Sequence, residues 1–128
     1  MSKAGALHGR VAFVTGSSRG IGREIAQHLA ALGADVIVQG TTLTSSQAFN
    51  EASSLHEVAE QISQTTGMQV MPVAGNLAEP DEVARIVAEI RDRFGRIDIL
   101  VNCAGGDVGA QGTAAPQGGK PEGNDALN

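Results

Sequence analysis

The chain has 128 residues, 41% of them hydrophobic, which is the length of one domain with enough apolar residues for a buried core. A formal net charge of −5 and a pI near 5.0 exclude binding to nucleic acid or to an anionic membrane through bulk electrostatics, and the lack of a signal-peptide run or a membrane-length segment predicts a cytoplasmic protein. Cys103 is the only cysteine and Tyr is absent, so an intrachain disulfide, a cysteine metal cluster and a tyrosine acid or base are all excluded within these residues.

The first predicted elements are a short apolar strand, a glycine-rich turn and the start of a helix, at residues 11–22 with the sequence VAFVTGSSRGIG. Each glycine has a separate role if a dinucleotide phosphate binds here. Gly16 turns the chain out of the strand, Gly20 removes a side chain where the backbone approaches a pyrophosphate, and Gly22 lets the helix pack against the sheet. The amides at the positive end of the helix would bind the anion. The alternative is a strand-turn-helix junction whose glycines serve packing alone.

The second predicted strand covers residues 36–38 and continues into the sequence QGTT. In a dinucleotide-binding fold the end of this strand lies beside the adenosine ribose. An acidic residue there selects NAD, whereas its absence next to a basic residue accommodates the 2′-phosphate of NADP. No Asp or Glu lies between residues 36 and 50, and Arg19 stands in the glycine turn. The sequence therefore favours NADP(H) over NAD(H), and the alternative for Arg19 is a surface arginine on a loop.

The rest of the chain continues the alternation of strands and helices. Its predicted elements are a Ser- and Thr-rich loop of unassigned role at residues 42–54, a helix from Leu55 to about Gly67, a strand at residues 69–73, a helix from Pro80 to Gly95 and a buried strand at residues 98–102. Three strand-helix pairs followed by a strand imply an α/β fold. We expect an incomplete Rossmann-type doubly wound parallel sheet with strand order 3-2-1-4, whose ligand lies across the carboxyl ends of the strands.

Two motifs carry a family resemblance. The sequence TGSSRGIG at residues 15–22 and the sequence NCAG at residues 102–105 resemble the glycine motif and the Asn-Asn-Ala-Gly motif of the short-chain dehydrogenase/reductase family. The resemblance is close to its 3-oxoacyl-carrier-protein-reductase-like members, and three βα units separate the two motifs. Cys103 departs from the pattern at the second Asn. A buried, inert cysteine is the favoured interpretation, and a redox or nucleophilic role is the alternative.

The resemblance implies a set of cofactor-binding residues. In order along the cofactor these are Gly16, Ser18, Gly20, Ile21 and Gly22 at the pyrophosphate and adjoining ribose, Arg19 and Thr41 at the 2′-phosphate, Asn76 and Leu77 at the adenine, and Asn102, Ala104 and Gly105 at the ribose on the nicotinamide side. Asn76 stands where the family usually carries an acidic residue. Its amide oxygen can still accept a hydrogen bond from the adenine amino group, and the alternative is an Asn that serves only the turn.

The family's catalytic residues have no counterpart in this sequence. In the family a helix with an Asn, a strand with a catalytic Ser and a helix with Tyr-x-x-x-Lys follow this region, whereas residues 106–128 are rich in Gly and Pro and support no strand or helix. We therefore expect residues 1–105 to form an NADP-binding Rossmann half-domain and residues 106–128 to form a loop leading toward an absent catalytic half. This chain alone is predicted to be inactive, and it would be either a fragment or a natural truncation.

The expected function of the parent protein is that of an NADP(H)-dependent oxidoreductase. It would interconvert a carbonyl and a secondary alcohol on a small-molecule substrate, with no metal, and the family implies a homotetramer or homodimer. A non-catalytic dinucleotide-binding or regulatory module is the main alternative, because the tyrosine is missing. A nucleoside-cofactor methyltransferase, whose fold also opens with a strand and a glycine turn, is disfavoured by the helix start at residues 20–22 and by the motif at residues 102–105.

Overall fold

The computed structural model of the protein describes residues 5–41 and 54–104. Strands and helices alternate along the chain as the sequence predicts. They are β1 (Val11–Thr15), α1 (Gly20–Ala31), β2 (Asp35–Gly40), α2 (Leu55–Thr66), β3 (Val70–Ala74), α3 (Pro80–Phe94) and β4 (Ile99–Asn102). Residues 42–53 of the predicted loop, Gly105 and residues 106–128 lie outside the described residues.

The four strands form one parallel sheet in the order β3-β2-β1-β4, which confirms the predicted fold class. In the centre of the sheet Val14 of β1 lies opposite Val38 of β2 on one side and Val101 of β4 on the other. The chain therefore moves outward from β1 to β3 and then returns to the opposite side of β1. Ligands of open α/β sheets bind at such a reversal of strand order, outside the carboxyl ends of the strands.

Side chains from the sheet alternate between two cores, one on each face. Val36 and Val38 point into the core that α1 and α2 cover, whereas Ile37 between them points into the core that α3 covers with Ile86 and Ile90. All five side chains are almost completely buried. Burial of a side chain of this size contributes about 1.5–3 kcal/mol, so the apolar strands and the amphipathic helices hold the sheet between two layers.

The helix ends have identifiable local causes. Ser54 accepts a hydrogen bond from the Glu57 amide at 3.1 Å and so caps α2. Gly67 and Gly95 terminate α2 and α3 in the left-handed conformation, with φ of 78° and 79°. Pro80 occupies the first turn of α3, where its missing N–H costs no hydrogen bond.

The prediction that β4 is a buried strand is wrong, because two of its four residues are exposed and the other two are only partly buried. Ile99 and Val101 are partly buried against the core beneath α1, but Leu100 points to the other face and is 57% exposed. An apolar run is buried on both faces only where neighbouring layers cover both. β4 lies at the edge of the described sheet, so its apolar sequence overstated its burial.

Candidate functional site

The predicted site residues follow the carboxyl ends of four neighbouring strands. The glycine turn at residues 16–22 follows β1, Thr41 follows β2, Asn76 and Leu77 follow β3, and Asn102 and Ala104 end or follow β4. Since the carboxyl ends of parallel strands meet at one edge, the fold brings these segments together at the reversal of strand order. Gly105, the last predicted site residue, lies outside the described residues.

Two of the glycines are required by close backbone contacts. A Cβ on Gly16 would lie 2.8 Å from the Cα and N atoms of Ala104, so the turn after β1 touches the segment after β4. A Cβ on Gly22 would lie 2.1 Å from the carbonyl oxygen of Gly16. The start of α1 therefore packs directly against the glycine turn, which is a more specific contact than the predicted packing against the sheet.

Gly20 has a different environment. Its φ of +63° is left-handed, and a Cβ there would meet no atom of the described residues within 4 Å. The space that a side chain would occupy at this position is therefore free of described atoms. An open, left-handed glycine at a helix start allows the close approach of a ligand to the backbone, which is the role that the sequence predicts for Gly20.

The amino-terminal end of α1 is suited to an anion. The N-cap residue Arg19 makes no side-chain cap hydrogen bond, and the first turn of α1 contains no acidic residue. By contrast, the first turn of α2 carries Glu57, and that of α3 carries Asp81 and Glu82. Carboxylates near a helix start compensate the positive end of the helix dipole. In α1 no such compensation is present, so this end remains favourable for a phosphate.

The side chains of the turn differ in exposure. Ser18 is buried, Arg19 is half-buried, and Ile21 is 76% exposed, more than any other large apolar side chain of the described residues. Thr41 at the end of β2 is exposed. Arg19, Ile21 and Thr41 are thus accessible at this edge, whereas Ser18 contributes to the interior of the turn.

Thr15 connects the two sequence motifs, a role that sequence reasoning did not assign. Its side chain is buried at the carboxyl end of β1, and its hydroxyl oxygen accepts hydrogen bonds from the amides of Cys103 and Ala104, both at 3.1 Å. The partners are 88 and 89 residues away in sequence. The only signal in the sequence was the position of Thr15, a polar residue at the end of an apolar strand and the first residue of the TGSSRGIG motif.

Gln39 is a second residue that sequence reasoning missed. The sequence places it after the second strand, but the structure includes it in β2 with only 3% of its surface exposed. Its backbone amide donates to the Ser17 hydroxyl at 2.9 Å, and its carbonyl oxygen accepts from the Ser17 amide at 2.8 Å. The available signal was a glutamine directly after three apolar residues of a strand.

The turn after β3 is held by charged side chains of α3. The Asn76 amide donates to Glu82 Oε1 at 2.6 Å, and Arg85 donates to the carbonyl oxygen of Ala74 at 2.6 Å. Asn76 Oδ1 accepts from the Ala78 amide at 2.9 Å, so Asn76 does serve the turn. An amide oxygen has two lone pairs, so Asn76 Oδ1 retains the capacity to accept a second hydrogen bond.

Other reactive side chains form no cluster in the described part of the chain. Cys103 is half-buried beside the glycine turn, and His28 and His56 are exposed on helix surfaces. Within residues 5–41 and 54–104 there is no group of three His, Cys, Asp or Glu side chains that could hold a metal ion. None of the helices described is both long and apolar enough to cross a membrane.

The parallel sheet, its strand order and the glycine turn at the reversal point together define a Rossmann-type α/β fold. A comparison with family models supports a closer assignment, because the short chain dehydrogenase model matches residues 10–118. The chain belongs to the short-chain dehydrogenase family, which is a family of oxidoreductases.

Individual relatives agree with this assignment. The chain is 40% identical over 99 residues to the 3-oxoacyl-(acyl-carrier-protein) reductase FabG of Aquifex aeolicus, covering 77% of this chain and 36% of that protein. L-sorbose reductase from Gluconobacter frateurii, solved with NADPH and L-sorbose, superimposes with a TM-score of 0.65 at 34% identity, over 77% of this chain and 34% of that one. A metagenomic short-chain oxidoreductase in complex with NADP gives a TM-score of 0.60 at 33% identity, over 73% and 38%. The chain thus spans little more than a third of the length of these relatives.

Proposed function

We propose that this chain is the cofactor-binding part of an NADP(H)-dependent oxidoreductase that interconverts a carbonyl and a secondary alcohol. The observation that carries the proposal is the start of α1, where the N-cap makes no side-chain cap hydrogen bond, the first turn holds no acidic residue, and a Cβ on Gly20 would meet no described atom. When bound, the nicotinamide would supply or accept the hydride. The residues of this chain would bind the cofactor and fix its orientation.

The preference for NADP(H) is supported at the end of β2. No Asp or Glu lies between residues 36 and 50, so a carboxylate that would repel a 2′-phosphate is absent from this stretch of sequence. Arg19 precedes α1, and Thr41 is exposed directly after β2. Two of the structural relatives were solved with NADPH or NADP. Arg19 and Thr41 would hold the 2′-phosphate in this proposal.

The remaining predicted residues would line the rest of the cofactor. The backbone of residues 16–22 would surround the pyrophosphate and the adjoining ribose, Asn76 and Leu77 would border the adenine, and residues 102–105 would lie along the ribose next to the nicotinamide. The fit rests on the uncompensated helix start and on the contact between Gly16 and Ala104, which holds the first and last of these segments together.

The test compares binding of NADPH and NADH to the chain and to its Arg19→Ala variant by titration calorimetry. A charge-assisted hydrogen bond contributes about 1.5–3 kcal/mol, so the variant should bind NADPH at least about tenfold more weakly. Its affinity for NADH, which has no 2′-phosphate, should change by less than about twofold. Arg91→Ala, on the exposed side of α3, is the matched control and should change neither affinity. Equal losses for both nucleotides would contradict the assignment of Arg19.

The catalytic part of the proposal applies to the parent protein. We place no catalytic residue in this chain, and we infer that residues 1–105 form the cofactor-binding half and residues 106–128 a loop toward the catalytic half. The absence of Tyr supports a second candidate function, a dinucleotide-binding module without catalysis. Under both candidate functions, we expect the chain alone to bind NADPH. We also expect it not to oxidise NADPH in the presence of a panel of ketones and aldehydes. The same assay on the whole gene product separates them.

Family membership is the only basis for our proposals about the oligomeric state and cellular location of the parent protein. We infer a small-molecule substrate, a homotetramer or homodimer of the parent protein, and a cytoplasmic location. Two of the relatives named above are a 3-oxoacyl-(acyl-carrier-protein) reductase and an L-sorbose reductase, so substrates differ widely among the relatives of this chain.

A further inference from the structure

The side chain of Gln39 joins the two turns that border the proposed cofactor site. Its Oε1 accepts a hydrogen bond from the Gly16 amide at 2.7 Å, and its Nε2 donates to the carbonyl oxygen of Gly75 at 2.9 Å. Gly16 opens the glycine turn after β1, whereas Gly75 directly precedes Asn76 and Leu77. One buried carboxamide thus connects three strands at their carboxyl ends.

These contacts use both the acceptor and the donor of a carboxamide. Asn and Gln carry an acceptor oxygen and an N–H donor on one neutral terminal group, so the Gln39 side chain can accept from a backbone amide of one turn while it donates to a backbone carbonyl of another. Because Gln39 is 3% exposed, water cannot easily replace either partner. The Ser17 hydroxyl completes the arrangement, since it donates to the Val14 carbonyl oxygen at 2.7 Å and accepts from the Gln39 amide.

The peptide unit between Gly75 and Asn76 is held from both sides. Its carbonyl oxygen accepts from Gln39, and its N–H donates to Glu82 at 2.6 Å. The Gly75 amide in turn donates to the carbonyl oxygen of Gly40 at 3.0 Å. The turn that precedes Asn76 is therefore fixed in orientation before any ligand binds.

We propose that Gln39 is a positioning residue for the cofactor, which sets the separation and orientation of the glycine turn and the Gly75–Asn76 turn. The inference rests on the proposed function, because the two turns would contact the pyrophosphate and the adenine of one ligand. A ligand that bridges two turns binds more tightly when their relative position is already fixed, since less ordering accompanies binding. Gln39 itself does not contact the cofactor in this proposal.

The test uses a variant that keeps the shape of the side chain and removes its hydrogen bonds. Gln39→Met preserves the unbranched chain and introduces no charge, but it leaves the Gly16 amide and the Gly75 carbonyl oxygen without this partner. The same substitution at Gln64, which is exposed on α2, is the matched control. NADPH affinity is measured by calorimetry, and amide hydrogen exchange at Gly16 and Asn76 is measured by NMR on the unliganded 128-residue chain.

We expect Gln39→Met to bind NADPH at least about tenfold more weakly, the equivalent of one buried hydrogen bond. Exchange at Gly16 should accelerate while the amides of Val14 and Val38 inside the strands remain protected, and Gln64→Met should behave as the wild type. Unchanged NADPH affinity overturns the inference and leaves the proposed function standing. Equal acceleration at all four amides also overturns it, because the residue would then serve global stability only. A wild-type chain that does not bind NADPH overturns the proposed function, and the inference with it.

Gln39→Glu provides the second variant if Gln39→Met does not fold. A carboxylate keeps the shape and the acceptor for the Gly16 amide, but it places an acceptor opposite the Gly75 carbonyl oxygen in place of a donor. We expect accelerated exchange at Asn76 with continued protection at Gly16, together with weaker NADPH binding. Protection at both amides with unchanged affinity overturns the inference.

Discussion

At the scale of single residues, the two glycines at the start of α1 should respond differently to the same substitution. Gly22→Ala places a methyl group 2.1 Å from the Gly16 carbonyl oxygen, so α1 or the glycine turn must move. Gly20→Ala meets no described protein atom and adds only the cost of a left-handed residue, about 1–2 kcal/mol. We expect Gly22→Ala to lower the free energy of unfolding by more than Gly20→Ala, as measured by chemical denaturation.

The binding assay separates the two glycines further. A methyl group on Gly20 would occupy the open side where the proposed pyrophosphate approaches, so NADPH affinity should fall in a variant that remains well folded. Gly67→Ala, which is also left-handed with no described contact for its Cβ, is the matched control and should lose stability without losing affinity. Normal NADPH affinity in Gly20→Ala would contradict the placement of the phosphate at this turn.

Sequence reasoning identified residues whose role depends on their neighbours in sequence. It missed residues whose contacts lie far away along the chain. The left-handed glycines of the motif and the helix stops at Gly67 and Gly95 depend on local backbone conformation, which the local sequence specifies. The contacts of Thr15 and Gln39 join residues between 22 and 89 positions apart. A buried polar side chain can be suspected from its position in an apolar strand, but its partners depend on which turns the sheet brings together.

At the scale of elements, β4 is attached to β1 by polar contacts at both ends. Thr15 binds the segment after β4 at the carboxyl end, and Asp98 accepts a hydrogen bond from the Val11 amide at 2.8 Å at the amino end. Arg96 donates to Asp98 at 2.8 Å and to the Gly9 carbonyl oxygen at 2.7 Å. The apolar run of β4 predicted a strand, but it gave no information about these attachments or about the exposed face of Leu100.

The attachment at Asp98 predicts a pH dependence of stability. The hydrogen bond from Arg96, and then that from the Val11 amide, lowers the pKa of Asp98 below its usual value of 3.8. Because the folded pKa is the lower one, the unfolded chain binds the proton first. The stabilising contribution is complete well above pH 3.8 and is lost as the pH falls through the folded pKa.

The Asp98→Asn variant tests this contribution directly. The difference in the free energy of unfolding between wild type and Asp98→Asn should be largest near neutral pH and should shrink as the pH is lowered below 3.8. Urea denaturation of both proteins at several pH values measures this difference in the free energy of unfolding. Asp92→Asn, on the exposed end of α3, is the control and should show no comparable trend. A difference that stays constant with pH would mean that the ionised form of Asp98 contributes nothing specific.

At the scale of the whole molecule, helices cover both faces of the described sheet at its centre, whereas β4 packs only against the core beneath α1 and leaves Leu100 exposed on the other face. The alternation of elements predicted strand order and layers correctly, because consecutive βα units form parallel strands whose crossovers are almost always right-handed. Leu100 is 57% exposed and Ile97 is 38% exposed next to an edge strand. Apolar side chains beside unpaired strand edges promote association between chains.

We therefore expect the 128-residue chain to self-associate through the β4 edge as its concentration rises. Leu100→Lys should suppress this association, since a charged lysine on an edge strand disfavours pairing with a second edge. Sedimentation velocity over a range of concentrations measures the effect. Ala84→Lys adds the same charge on the exposed side of α3 and should leave association unchanged, which separates the edge from net charge. If both variants suppressed association equally, or if Leu100→Lys did not suppress it, the chains would not associate through the β4 edge. NADPH affinity should be unchanged in Leu100→Lys, because Leu100 lies opposite Phe13 in the middle of β1 and not at the carboxyl edge of the sheet where the cofactor is proposed to bind.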